Sequence, residues 1–300
     1  MVRLTDQQCE FEQLRPYLMG LAYRMLGSRA DAEDAVQETW LRWQKQSNAP
    51  DNNKAWLTRV CSNICIDALR RLKRERLSYE GPWLPEPVNR ASSTVDTPEQ
   101  SQEVLTESLQ LAYMLLLERL TPTERAALLL HDVFGYDFNE VADILQTNTA
   151  TARQHASRAR KHLKASKTRF DAPVQELEKL GAQLHAALSN GDIDGIVSYL
   201  ADDVELWSDG GGKALAARNV ISGPESVAAF LHGIFRKKPL GFQRRPGLAN
   251  GKPAVLLFDE NGQLDAILTI TCNELGQIGH VLAHRNPDKL ILAQKEARLI

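Results

Sequence analysis

Cysteine is scarce in this chain: four among 300 residues, at positions 9, 61, 65 and 272. So few, so scattered, give no disulfide framework, and the expected setting is a reducing, cytoplasmic one. No apolar run approaches the roughly 20 residues that cross a bilayer, so no membrane contact is expected. The opening residues, MVRLTDQQCEFEQL, lack a basic stretch followed by an apolar one, and no secretory signal is read from them. Metal-ligand constellations are missing too. Cys61 and Cys65 stand four apart on a predicted helix with no His or further Cys nearby, so they are expected to face a core. No nucleophile–base pair stands out, which counts against an enzyme, and no cofactor is expected. Net charge is almost lacking as well, at −2.

That small total hides a strong segregation. Residues 59–76 hold six basic and two acidic side chains, and residues 77–147 hold three and twelve. Residues 148–170 hold seven basic and none acidic; residues 171–300 hold thirteen and sixteen. Two basic patches separated by an acidic connector point to two contacts with a polyanion.

Hydrophobic periodicity predicts helices over residues 10–78. Ser28 is placed to cap the second, whose apolar side is Ala32, Ala35, Val36, Thr39, Trp40 and Trp43. SNAPDNN reads as a loop. The next helix, KAWLTRVCSNICIDALRRLKRER, carries a stripe of Trp56, Leu57, Val60, Ile64, Ala68 and Leu72. Residues 79–107, with several prolines and many Ser, Thr and acidic residues, read as an extended linker. Helices return over 108–168. TPTERAALLLHDVFG opens with a Thr cap, Pro at the first helical position and Glu124 placed for a capping box, and Gly135 stops it. From about residue 172 the pattern mixes. Helices are expected at 173–190, 192–200 and 223–235, with strands at 203–209, 213–221, 241–249, 253–260, 263–272 and 279–285. Together these make a curved, mostly antiparallel sheet in a separate α+β domain.

FNEVADILQTNTATARQHASRARKHL reads as a short helix, a tight polar turn and a longer helix, the helix-turn-helix arrangement. Asn148 is a suitable N-cap. Ala152, Ala156, Ala159 and Leu163 recur on one side and face inward. Arg153, Gln154, Ser157, Arg160, Lys161 and Lys164 fall on the other, with Thr151 in the first turn. A helix with that face enters a major groove, its early residues reaching base edges and its later basic ones bonding phosphates.

DAEDAVQETWLRW, together with AWLTRVCSNICIDALRRLKRER, resembles region 2 of bacterial sigma factors of the extracytoplasmic-function type. LTPTERAALLLHDVFGYDFNEVADILQTNTATARQHASRARKHL resembles their region 4. Both lie in the right order and separation, and the match covers about half the chain. The resemblance implies a protein that binds the RNA polymerase core, directs it to promoter DNA and has no catalytic activity of its own. Asp34, Gln37 and Glu38 match positions that contact the clamp helices of the large polymerase subunit. Residues 52–74 match the part that recognises and opens the −10 element, with Asn53, Lys54, Asn63, Asp67, Arg70 and Arg71 as candidates. Trp56, by its apolar spacing, is expected to pack rather than stack on a base. Region 4's basic helix would read the −35 element.

Typical members end near residue 168, whereas about 130 more residues follow here. WLPEP (83–87), DGGGK (209–213) and NPDKL (286–290) resemble signatures of the sigma-J-like subgroup. Its fused C-terminal domain is of the SnoaL-like, cone-shaped α+β type and is thought to regulate in cis. The expected organisation is region 2 at 1–78, linker at 79–107, region 4 at 108–170 and the SnoaL/NTF2-like domain at 171–300. Trp83 and Leu84, between prolines, make an apolar hook expected to dock near DGGGK and NPDKL. Asp209, Lys213, Asp288 and Lys289 are candidates to pair across domains. DGGGK lacks P-loop spacing and reads as a turn. Two alternatives stay open. One is a regulator sensing a small-molecule ligand in a C-terminal cavity, lined by Trp207, His280 and His284. The other is an enzyme fused to a DNA-binding module.

Overall fold

The computed structural model describes residues 6–46, 50–88, 111–164, 168–169, 172–237 and 242–297. These fall into two compact units. The first is built on Met1–Leu77 and Leu116–Ala165, the second on Ser78–Ala91, Leu109–Leu115 and Ser166–Ile300. The part of the expected linker from residue 89 to 107 lies outside the described residues. No helix among the described residues is long and apolar enough to cross a membrane.

The first unit is helical. Helix α1 (Asp6–Leu26) ends at Gly27, whose φ of 72° suits a residue without a Cβ. Helix α2 (Arg29–Gln44) starts where the Ser28 hydroxyl accepts from the Asp31 N–H. Helix α3 (Asn53–Glu75) is capped by Asn52. Leu18, Leu21, Met25, Leu57, Cys61 and Cys65 are fully buried among them. Trp43 and Trp56 pack with ring centroids 5.2 Å apart, so the Trp56 ring belongs to this core.

Helix α4 (Leu111–Leu117) leads to α5 (Pro122–Leu128), which opens with the Thr121–Glu124 capping box. A single π-helical turn (Leu129–Val133) extends it to Gly135, φ 74°. Helix α6 (Phe138–Leu145) has its own box from Asp137 and Glu140, and Gln146 turns the chain through a left-handed φ of 53°. Helix α7 (Thr149–Lys164) follows, capped by Asn148, whose side chain accepts from the Thr151 N–H at 2.8 Å. Ala152, Ala156 and Ala159 are fully buried, and their small side chains let α7 lie close on α5 and α6.

Within this unit the two helical halves pack on each other. The hydroxyls of Tyr17 on α1, Thr58 on α3 and Tyr136 before α6 form a triangle with edges of 2.8, 3.2 and 3.1 Å. Burial pushes the Tyr17 phenol well above its ordinary pKa. Buried Arg125 donates to the carbonyls of Met25 and Leu117 and to Glu118, and Glu118 also receives Arg76 from the end of α3.

The second unit is a sheet with two different covers. Its strands are β1 (Thr168–Arg169), β2 (Leu200–Asp209), β3 (Ile221–Ser222), β4 (Gln243–Ala249), β5 (Lys252–Phe258), β6 (Leu264–Asn273) and β7 (Ile278–His284). Their order is β3-β2-β7-β6-β5-β4, with β1 beside β6; β2 and β7 run parallel and the other pairs antiparallel. On one face α8 (Val174–Asn190), α9 (Ile193–Tyr199) and α10 (Pro224–Lys237) bury Leu177, Leu184, Ile196 and Val227 against Val204, Leu206 and Val281. On the other, α11 (Pro287–Ala297) packs with Leu84, Leu111 and Leu115 over Leu256, Ile267 and Leu282. The start of the connector is thus part of this core, so the unit reaches back to residue 78 rather than beginning at 171.

One expected strand is absent. Of residues 213–221 only Ile221 enters a strand, because Gly211 and Gly212, with φ of 59° and 69°, turn the chain away from the sheet. Leu215 there is 87% exposed, so the apolar run has no face to bury.

Candidate nucleic-acid interface and a clamped connector

Helix α7 exposes Arg153, Gln154, Ser157 and Lys161, while Thr151 is half-buried in the first turn. The Arg153 guanidinium lies 5.6 Å from the Phe138 ring centroid. Arg160 is different. It is half-buried and forks onto Asp132, Nε to Oδ2 at 2.9 Å, with its second nitrogen on the other oxygen, which raises its already high pKa. Its charge is therefore matched inside the unit. Exposed Arg158 was missed in the sequence; it stands four residues beyond Gln154, on the same side of the helix.

On α3, Asn53, Asn63, Asp67, Arg70 and Arg71 fall on one face by their helical spacing, and Lys54 stands off it. Asn53 donates to both carboxylate oxygens of Glu10 at 2.7 Å, and the Lys54 ammonium sits 4.8 Å from the Tyr17 ring centroid. Asn63 is half-buried. Asp67 and Arg70 pair at 2.9 Å, and Arg71 lies 3.6 Å from Glu75. These pairs are exposed, where such contacts contribute little. Arg59 and Arg74, also exposed, continue this face through their i+4 and i+3 spacing from Asn63 and Arg71. On α2, Asp34 and Gln37 are exposed, and half-buried Glu38 accepts from Arg42 at 2.9 Å.

A second cluster lies within the C-terminal unit and holds residues 79–88. The Asp209 side chain, at the end of β2, is fully buried. One oxygen accepts from the Tyr79 hydroxyl at 2.6 Å and the Gly211 N–H at 3.1 Å. The other accepts from the Leu84 N–H at 2.9 Å and the Lys289 ammonium at 2.6 Å. Lys289 also donates to the Leu84 carbonyl at 2.5 Å and lies 4.2 Å from the Trp83 ring centroid. Both backbone groups of Leu84 are thus captured by one buried ion pair. Farther on, Asn250 and Val88 bond reciprocally, at 2.6 Å through the Asn250 N–H and 2.9 Å through its side-chain oxygen.

The glycines of DGGGK have a steric cause. A Cβ on Gly211 would stand 2.3 Å from the Asn286 amide nitrogen, and one on Gly212 would stand 2.8 Å from the Glu80 carboxylate. Asn286 in turn donates to the Tyr79 hydroxyl at 3.0 Å. Lys213 and Asp288 pair at 2.5 Å on the surface. The Asp209–Lys289 and Lys213–Asp288 pairs, expected across domains, both form inside this unit. Tyr79 and Asn250 had no signal in the sequence, because their partners are distant along the chain, whereas Asn286 opens the NPDKL signature without having been singled out within it.

Trp207, His280 and His284 share the sheet face that carries Asp209. Glu205 accepts from the Trp207 indole at 3.0 Å and lies 3.9 Å from His280, which meets Thr271 at 3.1 Å. His284 is buried, and neither ring nitrogen has a hydrogen-bond partner among the described residues. Burial, opposed by the Asp209 carboxylate and aided by the Lys289 ammonium, lowers its pKa to about 3.

A family model for Sigma-70 region 2 matches residues 11–75, and one for Sigma-70, region 4 matches residues 110–163. The chain is 40% identical over 258 residues to the ECF RNA polymerase sigma factor SigJ of Mycobacterium tuberculosis, covering 86% of this chain and 79% of that one. It is 30% identical over 278 residues to a probable ECF RNA polymerase sigma factor, SigI, of the same species, covering 89% and 90%. The crystal structure of Mycobacterium tuberculosis SigJ superimposes with a TM-score of 0.70 at 35% identity, covering 94% of this chain and 97% of that one. The chain belongs to the extracytoplasmic-function family of RNA polymerase sigma factors.

Proposed function

We propose that this sigma factor, which directs RNA polymerase to promoters, is regulated in cis by its C-terminal unit through the clamped segment 79–88. Residues 1–78 hold the core polymerase, through Asp34, Gln37 and Glu38 on α2, and open the −10 element through α3. Residues 108–170 read the −35 element through Arg153, Gln154, Ser157 and Lys161, and residues 171–300 govern both. The observation that carries this reading is the capture of Leu84 by Asp209 and Lys289. The segment so held leads from region 2 toward region 4, so clamping it shortens the free tether between the two DNA readers.

The packing of α3 against α6 adds a second control. Elements about 25 base pairs apart are separated by roughly 80 Å of duplex, and two modules in direct contact cannot reach both. Opening of the first unit therefore precedes promoter engagement. The decisive experiment is transcription with core polymerase, comparing the full chain with Trp83→Ala and Lys289→Ala. A changed output from variants that still assemble with core supports regulation through the clamp. Unchanged output from both removes it, and failure of the parent chain to assemble with core removes the sigma reading itself.

One observation favours a small-molecule ligand in the C-terminal unit. His284 and Thr269, on adjacent strands of one face, both present buried polar atoms without a partner among the described residues. Buried polar atoms in folded proteins take a protein, ordered-water or bound-molecule partner, and a ligand is the occupant to test. Native mass spectrometry of the purified chain, with and without His284→Phe, tests this through a mass excess that the substitution removes.

A further inference from the structure

The second unit carries a charge pattern that neither the clamp nor the helical readers use. Residues 226–258 hold six basic side chains and no acidic one, whereas the remainder of 171–300 holds seven basic and sixteen acidic. This is the one-signed signature of α7, repeated in a different fold. Arg236 and Lys237 end α10, and Arg244 and Arg245 sit on β4, an edge strand of the sheet. All four are exposed, and none has a carboxylate partner among the described residues. Lys238 lies outside the described residues, and Lys252 donates to the Ala172 carbonyl at 2.9 Å.

The two arginines are supported rather than neutralised. The Arg244 guanidinium lies 3.8 Å from the Phe235 ring centroid, and that of Arg245 lies 4.7 Å from Phe258. Neighbouring strand residues point to opposite faces, so the two guanidiniums stand on either side of the sheet edge. An aromatic ring orients a guanidinium while leaving N–H donors at its rim for phosphate, and it limits the entropy lost on binding; Arg245 spends one of its donors on the Gln243 side-chain oxygen at 2.8 Å. Phe235 immediately precedes Arg236 and Lys237, so its contact with Arg244 joins the helix end to the strand in one cationic surface. Blunting an exposed edge against aggregation requires charge on the strand alone. The helix-end charges and the total absence of interleaved acids go beyond that need.

We propose that this edge is a third DNA-contacting surface, bonding phosphates without reading bases. DNA is the polyanion that fits, because this inference rests on the reading above, in which the same chain is brought to promoter DNA by its helical unit. Anionic membranes are more often met by an amphipathic basic helix than by a ridge of arginines on rings.

The test uses the full chain with Arg236→Gln, Lys237→Gln, Arg244→Gln and Arg245→Gln combined. Fluorescence anisotropy follows binding to a promoter duplex and to a scrambled duplex of equal length across a salt series, with Arg153→Ala as control. The proposal expects the slope of log affinity against log salt to flatten by roughly 2–4 on both duplexes, since each lost phosphate contact contributes about 0.9. Thermal melting is expected to match the parent. If it does not, the helix-end pair Arg236→Gln and Lys237→Gln alone is expected to flatten the slope by roughly 2. An unmoved slope, with Arg153→Ala still weakening promoter binding, overturns the third contact and leaves the helical reader standing. If neither variant moves binding, the DNA reading itself fails. Loss of binding to phosphatidylglycerol-containing vesicles with the DNA slope preserved also overturns the proposal, in favour of a membrane surface.

Discussion

Lys289 performs three tasks with one ammonium: it neutralises Asp209, bonds the Leu84 carbonyl and lies over the Trp83 ring. Breaking a buried ion pair on one side leaves the other charge unmatched, which typically costs roughly 3–5 kcal/mol. Lys289→Met is therefore expected to destabilise the C-terminal unit by that order and to expose residues 79–88 to hydrogen exchange. Pairing it with Asp209→Asn is expected to recover part of the loss. Urea titration of both variants checks this, and equal losses would mean the ion pair is not the cause. His284 gives a pH prediction. Its folded pKa of about 3 lies below the ordinary 6.5. The unfolded chain thus binds the extra proton first as pH falls, and stability is lost below about pH 6.5 and down to pH 3. This contribution amounts to ~2 kcal/mol between pH 7 and pH 5. It is expected to vanish in His284→Phe, measured as the difference between the two proteins' denaturation midpoints at each pH. Trp83, Leu84, Asp209 and Lys289 were visible in the sequence through short family signatures. Asn250, which closes on Val88 across 162 positions, was not, since nothing local distinguishes an Asn at a hairpin from any other turn Asn.

At the level of elements, the caps were legible because they are local. Ser28, Thr121 with Glu124, and Asn148 each bond an N–H three residues away. The strand expected at 213–221 failed for the opposite reason: an apolar run becomes a strand only where a partner and a buried face exist, and glycine turns carry this one off the sheet. On α7, periodicity separated the alanine side from the basic side, yet could not tell Arg153 from Arg160. That distinction comes from Asp132, on the turn after α5. Arg153→Ala is accordingly expected to lower −35 duplex affinity about tenfold with the melting temperature unchanged. Arg160→Ala is expected to lower the melting temperature as well, having freed Asp132. Parallel anisotropy and thermal melts distinguish them; identical melting of both would place Arg160 on the DNA surface instead.

For the whole molecule, helical content followed by an α+β sheet was evident from pattern alone. The allegiance of the connector was not. Leu111 and Leu115 carry ordinary helical spacing, and no spacing says which of two cores a helix joins; in the fold they lie under the C-terminal sheet. The contact between the two helical halves was equally invisible, since Arg76, Glu118 and Arg125 each look like surface charges in sequence. Glu118→Gln leaves Arg125, whose side chain is 3% exposed, without its carboxylate. It is expected to raise amide exchange along α3 and α6 together; exchange confined to one helix would argue against a joint opening. A protein whose two readers are folded onto each other has an effective affinity for promoters equal to its intrinsic affinity multiplied by the fraction of time it stands apart. Cellular abundance is then a poor gauge of its output: a tenfold shift in that fraction, about 1.4 kcal/mol at this one seam, acts on promoter occupancy as strongly as a tenfold change in expression.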